Sequence, residues 1–253
     1  RSIETDSRKV RKGSLFVCIR GLHTDSHSCI PEAIGNGASC ILVQEGAQIP
    51  EVLRQQTLLL ECESTRRAVA CLYHAWYGFP GERLKLIGVT GTNGKTTTKE
   101  LLATVLSTKY NLHYTQGNLN NQIGVPLTLL QITRAHELAI VEMGASHPGD
   151  IKELVDIAEP NCGLITNVGR AHLEGFGSFE GVQQTKKELY DYLRENQGFI
   201  FRNTDNPYLA QMAGDLKTVA YTTGKMPDGT HLVGEYNAEN VSAAICVGEH
   251  FGI

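Results

Sequence analysis

The sequence has no C-x-x-C pair, no apolar run of the roughly 18–20 residues that a membrane-spanning helix needs, and no surplus of basic charge. Each absence excludes something. Without paired cysteines there is no zinc ribbon and no dithiol redox motif. Without a long apolar run there is no membrane insertion by a helix. Lys and Arg number 23 against 27 Asp and Glu, a formal net charge of −4, so no basic field offers itself to nucleic acid or an anionic membrane. No charged-then-apolar leader opens the chain, which starts on Arg1 rather than Met. The seven cysteines lie singly, several inside apolar runs such as Leu15-Phe16-Val17-Cys18-Ile19. They read as small buried hydrophobes in a reducing, cytoplasmic setting.

What is present is the composition of a globular protein, 253 residues at 41% hydrophobic and 20% charged. The expected fold class is α/β in two parts. Residues 1–80 form a small unit, with strands at Leu15–Ile19, Cys40–Val43 and Thr57–Cys62 and helices near Ile30–Asn36 and Thr65–Tyr77. The breakers Gly78-Phe79-Pro80-Gly81 make a linker. Residues 81–253 then alternate strands with helices, the pattern of a mostly parallel sheet covered on both faces. Strands are expected at Leu84–Thr90, Glu137–Met143, Gly163–Asn167, Gly198–Arg202 and Thr218–Thr222. Asn237–Phe251 reads as a helix that more sheet should follow, so the second part is expected to be incomplete.

The strongest local signal is Gly91-Thr92-Asn93-Gly94-Lys95-Thr96-Thr97-Thr98, between an apolar strand and a helix. Glycines let backbone N–H groups turn inward on phosphate oxygens, and the helix N-terminus adds partial positive charge. Lys95 suits the β- and γ-phosphates of ATP, and the Thr96 hydroxyl suits Mg²⁺. The spacing departs from the strict phosphate-loop pattern, because Val89 stands where the first glycine would. The plain alternative is a Gly-rich turn with a surface lysine.

Three further groups follow strand ends or face inward. Glu142, after Leu138-Ala139-Ile140-Val141, sits where open α/β sheets bind ligands; it either holds Mg²⁺ or closes a strand-end salt bridge. His172, in Thr166-Asn167-Val168-Gly169-Arg170-Ala171-His172, is a metal ligand or an ordinary surface histidine. Lys186 shares a helical stripe with Val182, Leu189 and Leu193, while Lys187 falls on the solvated face with Glu180, Gln184, Asp191 and Arg194. An inward lysine either snorkels out or works in a site, where burial favours the neutral amine that can take up CO₂ as a carbamate.

Taken in order, these strings resemble the ATP-dependent Mur ligases, as do Gly117-Asn118-Leu119-Asn120-Asn121-Gln122-Ile123-Gly124-Val125-Pro126, Glu142-Met143-Gly144-Ala145-Ser146-His147-Pro148-Gly149 and Ala171-His172-Leu173-Glu174-Gly175-Phe176-Gly177. The resemblance is nearly continuous over residues 91–223. It implies an amide-forming ligase that activates the carboxylate of a UDP-N-acetylmuramoyl peptide as an acyl phosphate. It implies ATP at Gly91–Thr97 with Asn237 and Asn240 beside the adenine, Mg²⁺ on Thr96, Glu142 and His172, and catalytic roles for Lys95, His172 and a carbamylated Lys186. Asn120, Asn121 and Ser146 would meet the muramoyl peptide; apart from the resemblance, Asn120, Asn121, Asn237 and Asn240 read as turn or helix-start asparagines. Ser7, Arg8, Leu22, His23 and Thr24 would meet its uridine diphosphate end, through Thr5-Asp6-Ser7-Arg8 and Gly21-Leu22-His23-Thr24-Asp25. The central segment is most similar to members that join D-alanyl-D-alanine to a tripeptide, and residues 7–90 to members that add the third amino acid. The resemblance further implies a longer segment between Tyr221 and Leu232, a C-terminal domain that this sequence lacks, and monomeric action. The chain by itself is expected not to turn over.

Overall fold

The computed structural model describes residues 2–20, 25–77, 84–169, 173–227, 232, 234 and 236–253. The chain divides into two compact units, Arg1–Trp76 and Tyr77–Ile253.

The first unit is a four-stranded parallel sheet in the order β1 (Ile3–Glu4), β2 (Leu15–Val17), β3 (Cys40–Gln44), β4 (Leu58–Cys62). Its helices are α1 (Ile30–Gly35), α2 (Glu51–Arg54) and α3 (Thr65–Tyr77). Val10, Phe16, Cys18, Ile30, Ala33, Ile41 and Val43 close its core. Cys18 is thus the small buried hydrophobe expected of it.

The second unit has six parallel strands: β5 (Lys85–Thr90), β6 (Leu112–Tyr114), β7 (Leu138–Glu142), β8 (Cys162–Ile165), β9 (Phe199–Asn203) and β10 (Thr218–Tyr221). Their order across the sheet is β10-β9-β8-β5-β7-β6. The helices are α4 (Lys95–Leu106), α5 (Gly124–Leu129), α6 (Asp150–Ala158), α7 (Leu173–Phe176), α8 (Phe179–Glu195), α9 (Pro207–Ala213) and α10 (Tyr236–His250). Strands β7 and β8 are buried throughout, which is why they read as unbroken apolar runs.

Alternation along the strands splits the core. Ile87, Val89, Leu138, Ile140, Cys162 and Leu164 face Leu102 and Leu106 of α4 and Ala244 and Val247 of α10. On the other face Gly88 and Gly163 admit Leu189 of α8. A Cβ added at either glycine would lie 3.1 Å from a Leu189 methyl. Two strand glycines therefore let α8 sit close to the sheet.

The order of strands reverses at β5, since the chain moves out to β6, returns to β7 and then crosses to β8. Ligands of open α/β sheets bind at such a switch point, outside the carboxyl ends of the strands. The loops after β5, β7 and β8 open there. Two strands went unexpected, β1 of two residues and β6 of three, because neither is long enough to show a period. The expected Leu15–Ile19 strand ends at Val17. The linker at Gly78–Gly81 lies outside the described residues.

Candidate functional site

The loop after β5 is shaped by two glycines. Gly91 has φ +144°, and a Cβ there would stand 2.0 Å from the Thr166 hydroxyl; Gly94 has φ +78°, and its Cβ would stand 2.4 Å from Oδ1 of Asn240. No side chain fits either place without displacing a neighbour. The segment after β8 stitches the loop in position. Thr92 N donates to Asn167 O (3.0 Å), Asn93 N to Asn167 Oδ1 (3.0 Å), and the Thr166 hydroxyl to Asn93 O (2.6 Å). The Thr92 hydroxyl accepts from Gly169 N at 2.9 Å. Helix α4 opens at Lys95, whose ammonium donates to the carbonyls of Gly91 (3.0 Å) and Thr92 (3.1 Å). Burial pulls the Lys95 pKa below its ordinary value, with Glu142 opposing the shift.

Glu142 ends β7, buried at 1% exposure. Its Oε1 accepts from the Thr96 hydroxyl (3.1 Å) and from Nδ2 of Asn120 (2.8 Å). Among the described residues Oε2 has no hydrogen-bond partner. A buried carboxylate oxygen that accepts no hydrogen bond, next to a threonine hydroxyl and a phosphate loop, fits a hard cation such as Mg²⁺, which binds through one or two carboxylates plus substrate phosphates. The described residues hold no group of three His, Cys, Asp or Glu for a metal, and His172 lies outside them.

Lys186 is 2% exposed, on the face of α8 that also buries Val182, Leu189 and Leu193, as the helical phase requires. Its ammonium stands 5.5 Å from the centre of the Phe176 ring. Burial first, and the charge of Lys95 second, lower its pKa to about 8, against the pull of Asp150 and Glu188. Lys187, expected to be freely solvated, is half-buried and paired with Asp191 at 2.5 Å. The i, i+4 spacing on the helix supplies that partner.

At the start of α10, Asn240 accepts from the Thr98 hydroxyl (3.0 Å) and donates to Asn237 Oδ1 (3.1 Å). Both asparagines are buried. A pocket of about 580 Å³ is lined by Asn93, Gly94, Thr97, Gly169, Glu239 and Asn240, among others. Gly94 belongs to both this pocket and the phosphate loop.

Comparison with known proteins decides the family. Residues 89–226 match the model of the Mur ligase middle domain, and residues 1–77 that of the Mur ligase family, catalytic domain. The chain belongs to the Mur ligase family. It is 35% identical over 99% of its length to UDP-N-acetylmuramoyl-tripeptide–D-alanyl-D-alanine ligase of Bacillus subtilis (strain 168), and spans 59% of that relative. Among solved structures, MurF from Acinetobacter baumannii matches all of this chain over 60% of its own, with a TM-score of 0.85 and 29% identity. MurF ligase from Thermotoga maritima in complex with ADP matches all of this chain over 63% of its own, with a TM-score of 0.83 and 30% identity.

Four of the remaining candidates of this Mur ligase chain have structural occupations. Oδ1 of Asn121 accepts from Ile123 N (3.1 Å) and Gly124 N (2.9 Å), the side chain thereby closing the turn into α5. Ser146 lies in a loop gathered by Asp150, whose Oδ2 accepts from Ser146 N and His147 N, each at 2.8 Å. In the first unit the buried Ser7 hydroxyl donates to Glu32 (2.5 Å), while Arg8 is exposed and paired with Asp6 (2.8 Å). Leu22, His23 and Thr24 lie outside the described residues. Sequence reasoning missed Thr166 and Asn167 as supports of the loop. It also missed Lys99, fully buried on α4 with its ammonium 3.9 Å from Glu142 Oε2.

Proposed function

We propose that this chain is the nucleotide-binding part of an ATP-dependent amide-forming ligase of peptidoglycan precursor synthesis, one that joins D-alanyl-D-alanine to a UDP-N-acetylmuramoyl tripeptide. One observation carries the reading: the loop with Lys95 and Thr96 meets a buried carboxylate, Glu142, one oxygen of which accepts no hydrogen bond among the described residues. Membership of the Mur ligase family and the likeness to tripeptide ligases support the substrate class.

In this reading residues 81–253 hold ATP, with Gly91–Thr97 at the phosphates and Asn237 and Asn240 toward the adenine. Thr96, Glu142 and His172 hold Mg²⁺, which when bound neutralises charge on the phosphates. The peptide's terminal carboxylate attacks the γ-phosphorus and ADP leaves, giving an acyl phosphate. The amine of D-alanyl-D-alanine then attacks the acyl carbon, phosphate leaves, and the amine gives up a proton. Activation is needed because a carboxylate is a poor electrophile. Lys95 stabilises charge on the transferring group. Lys186, held inward with a lowered pKa, reacts with CO₂ to give a carbamate and a proton, a negative group that would suit Mg²⁺. Asn120, Asn121 and Ser146 face the muramoyl peptide, and residues 1–80, with Ser7, Arg8, Leu22, His23 and Thr24, hold the uridine diphosphate. A cytoplasmic setting and monomeric action belong to the same reading; no helix among the described residues is long and apolar enough to cross a membrane.

A phosphate-release assay of a full-length version tests it, supplying UDP-muramoyl tripeptide with D-alanyl-D-alanine or UDP-muramoyl dipeptide with a third-position amino acid. Release with the dipeptide set alone would move the chain to the preceding ligation step. If calorimetry finds no ADP binding, the nucleotide assignment is wrong.

A further inference from the structure

Lys99 is a charged side chain at 0% exposure, and nothing in the proposed chemistry uses it. Burying an ammonium is costly unless every donor is matched. Here Nζ donates to Thr115 O (2.8 Å) and Gly117 O (3.3 Å) and is ion-paired with Glu100 Oε1 at 2.8 Å. The ring of Tyr114 lies 5.7 Å away. Two of the three partners are backbone carbonyls of the segment leaving β6.

That segment leads to the site. The Thr115 hydroxyl accepts from Glu142 N at 3.0 Å. Asn120 O accepts from Gly144 N at 2.7 Å, and Asn120 Nδ2 donates to Glu142 Oε1 at 2.8 Å. Lys99 itself projects from α4, one turn beyond Lys95. One buried ammonium thus ties the helix of the phosphate loop to the segment that orients Glu142.

We propose that Lys99 is a positioning residue, a clamp that holds the Thr115–Asn121 segment on α4 and so fixes Asn120 and Glu142 toward Thr96. This rests on the nucleotide and Mg²⁺ reading above for its consequence, but not for the clamp itself. A purely electrostatic role would act with the opposite sign. Removing a positive charge 3.9 Å from Glu142 Oε2 should strengthen the attraction for a cation. Losing the support of a metal ligand should weaken metal binding roughly 10–100-fold.

The test uses the 253-residue chain with Lys99→Met, and Lys99→Gln, which is neutral but keeps N–H donors, should the first fail to fold. ADP affinity is measured by calorimetry with Mg²⁺ and with EDTA, and amide hydrogen exchange without nucleotide. The expected result is a gain in affinity from Mg²⁺ that falls about tenfold, with affinity in EDTA unchanged. Exchange is expected to speed up at the amides of Glu142 and Gly144, with β8 and β9 unaffected. An unchanged or enlarged Mg²⁺ gain overturns the proposal, and so does unaltered exchange at these amides. If the unsubstituted chain binds no ADP, the nucleotide reading fails, while the exchange measurement still decides the clamp.

Discussion

The two sheets of this protein are both parallel and both flanked by helices, yet they treat polar side chains differently. In the first unit the buried polar residues include Ser7, Ser14 and Thr65. In the second they include Thr90, Thr98, Lys99, Thr115, Glu142, Thr166, Lys186, Asn237 and Asn240. Several of these gather where the strand order reverses. Burying two lysines and a glutamate costs stability unless pairing or function compensates. The difference teaches where to look for chemistry: the second sheet tolerates that cost at its carboxyl edge, and among the described residues the first sheet carries no comparable load.

The sharpest way to break the comparison uses two glycines with the same backbone. Gly94 in the phosphate loop and Gly46 in the first unit have φ of +78° and +76°. A Cβ at Gly46 meets nothing within 4 Å, whereas one at Gly94 stands 2.4 Å from Asn240 Oδ1. Gly46→Ala is expected to cost only the left-handed penalty, about 1–2 kcal/mol. Gly94→Ala adds an overlap, for about 2–5 kcal/mol in all. Chemical denaturation reads both, and equal losses would show that the second unit has slack at its edge.

Next in size is Lys95→Ala. One charge-assisted hydrogen bond contributes about 1.5–3 kcal/mol, so ATP affinity measured by calorimetry should fall roughly 10–100-fold. Unaltered affinity would remove the phosphate loop from the site.

Much of this contrast was legible in the sequence. The apolar run 138–141 marks β7 as buried on both faces, and the carboxylate that follows it falls at the sheet's edge by chain direction alone. The stripe through Val182, Leu189 and Leu193 turned Lys186 inward. The same phase argument applied to α4 puts Lys99 with Leu102, Ala103 and Leu106 on the buried stripe, so that lysine was readable too. Other features were not. The support that Asn167 gives Asn93 joins residues 74 apart, and no local pattern announces it.

Lys186 and Lys187 sharpen the comparison within one helix. The folded pKa of Lys186 is about 8 and its ordinary value 10.5. Between those values the unfolded chain binds more protons, so stability should rise as pH rises from 8 to 10.5 and be lowest below 8. Lys186→Met should therefore stabilise the chain at pH 7 by about 1–3 kcal/mol and flatten that rise. Lys187→Met loses only an i, i+4 pair, about 0.3–0.5 kcal/mol, and should leave the pH profile intact. Urea denaturation at pH 7, 8.5 and 10 separates them, and matching profiles would place the wrong lysine inside.

The smallest effect on stability is expected at Arg8, and it asks whether the first unit binds anything through this residue. Its side chain is 80% exposed and its guanidinium reaches Asp6 at 2.8 Å. That pairing holds the Asp6 carboxyl down to about 2, yet an exposed pair is screened by water and salt and adds little to stability. Arg8→Ala should leave the midpoint of thermal unfolding where it was. A guanidinium is also well shaped to hold two phosphate oxygens at once. If Arg8 meets the diphosphate of UDP-muramoyl peptide, the same substitution should weaken UDP binding through the loss of a charge-assisted hydrogen bond. It should also flatten the dependence of that binding on salt. Titration of UDP into both chains at two ionic strengths reads the outcome. Equal affinities would leave Arg8 as a solvated partner of Asp6 and take it out of the proposed uridine site.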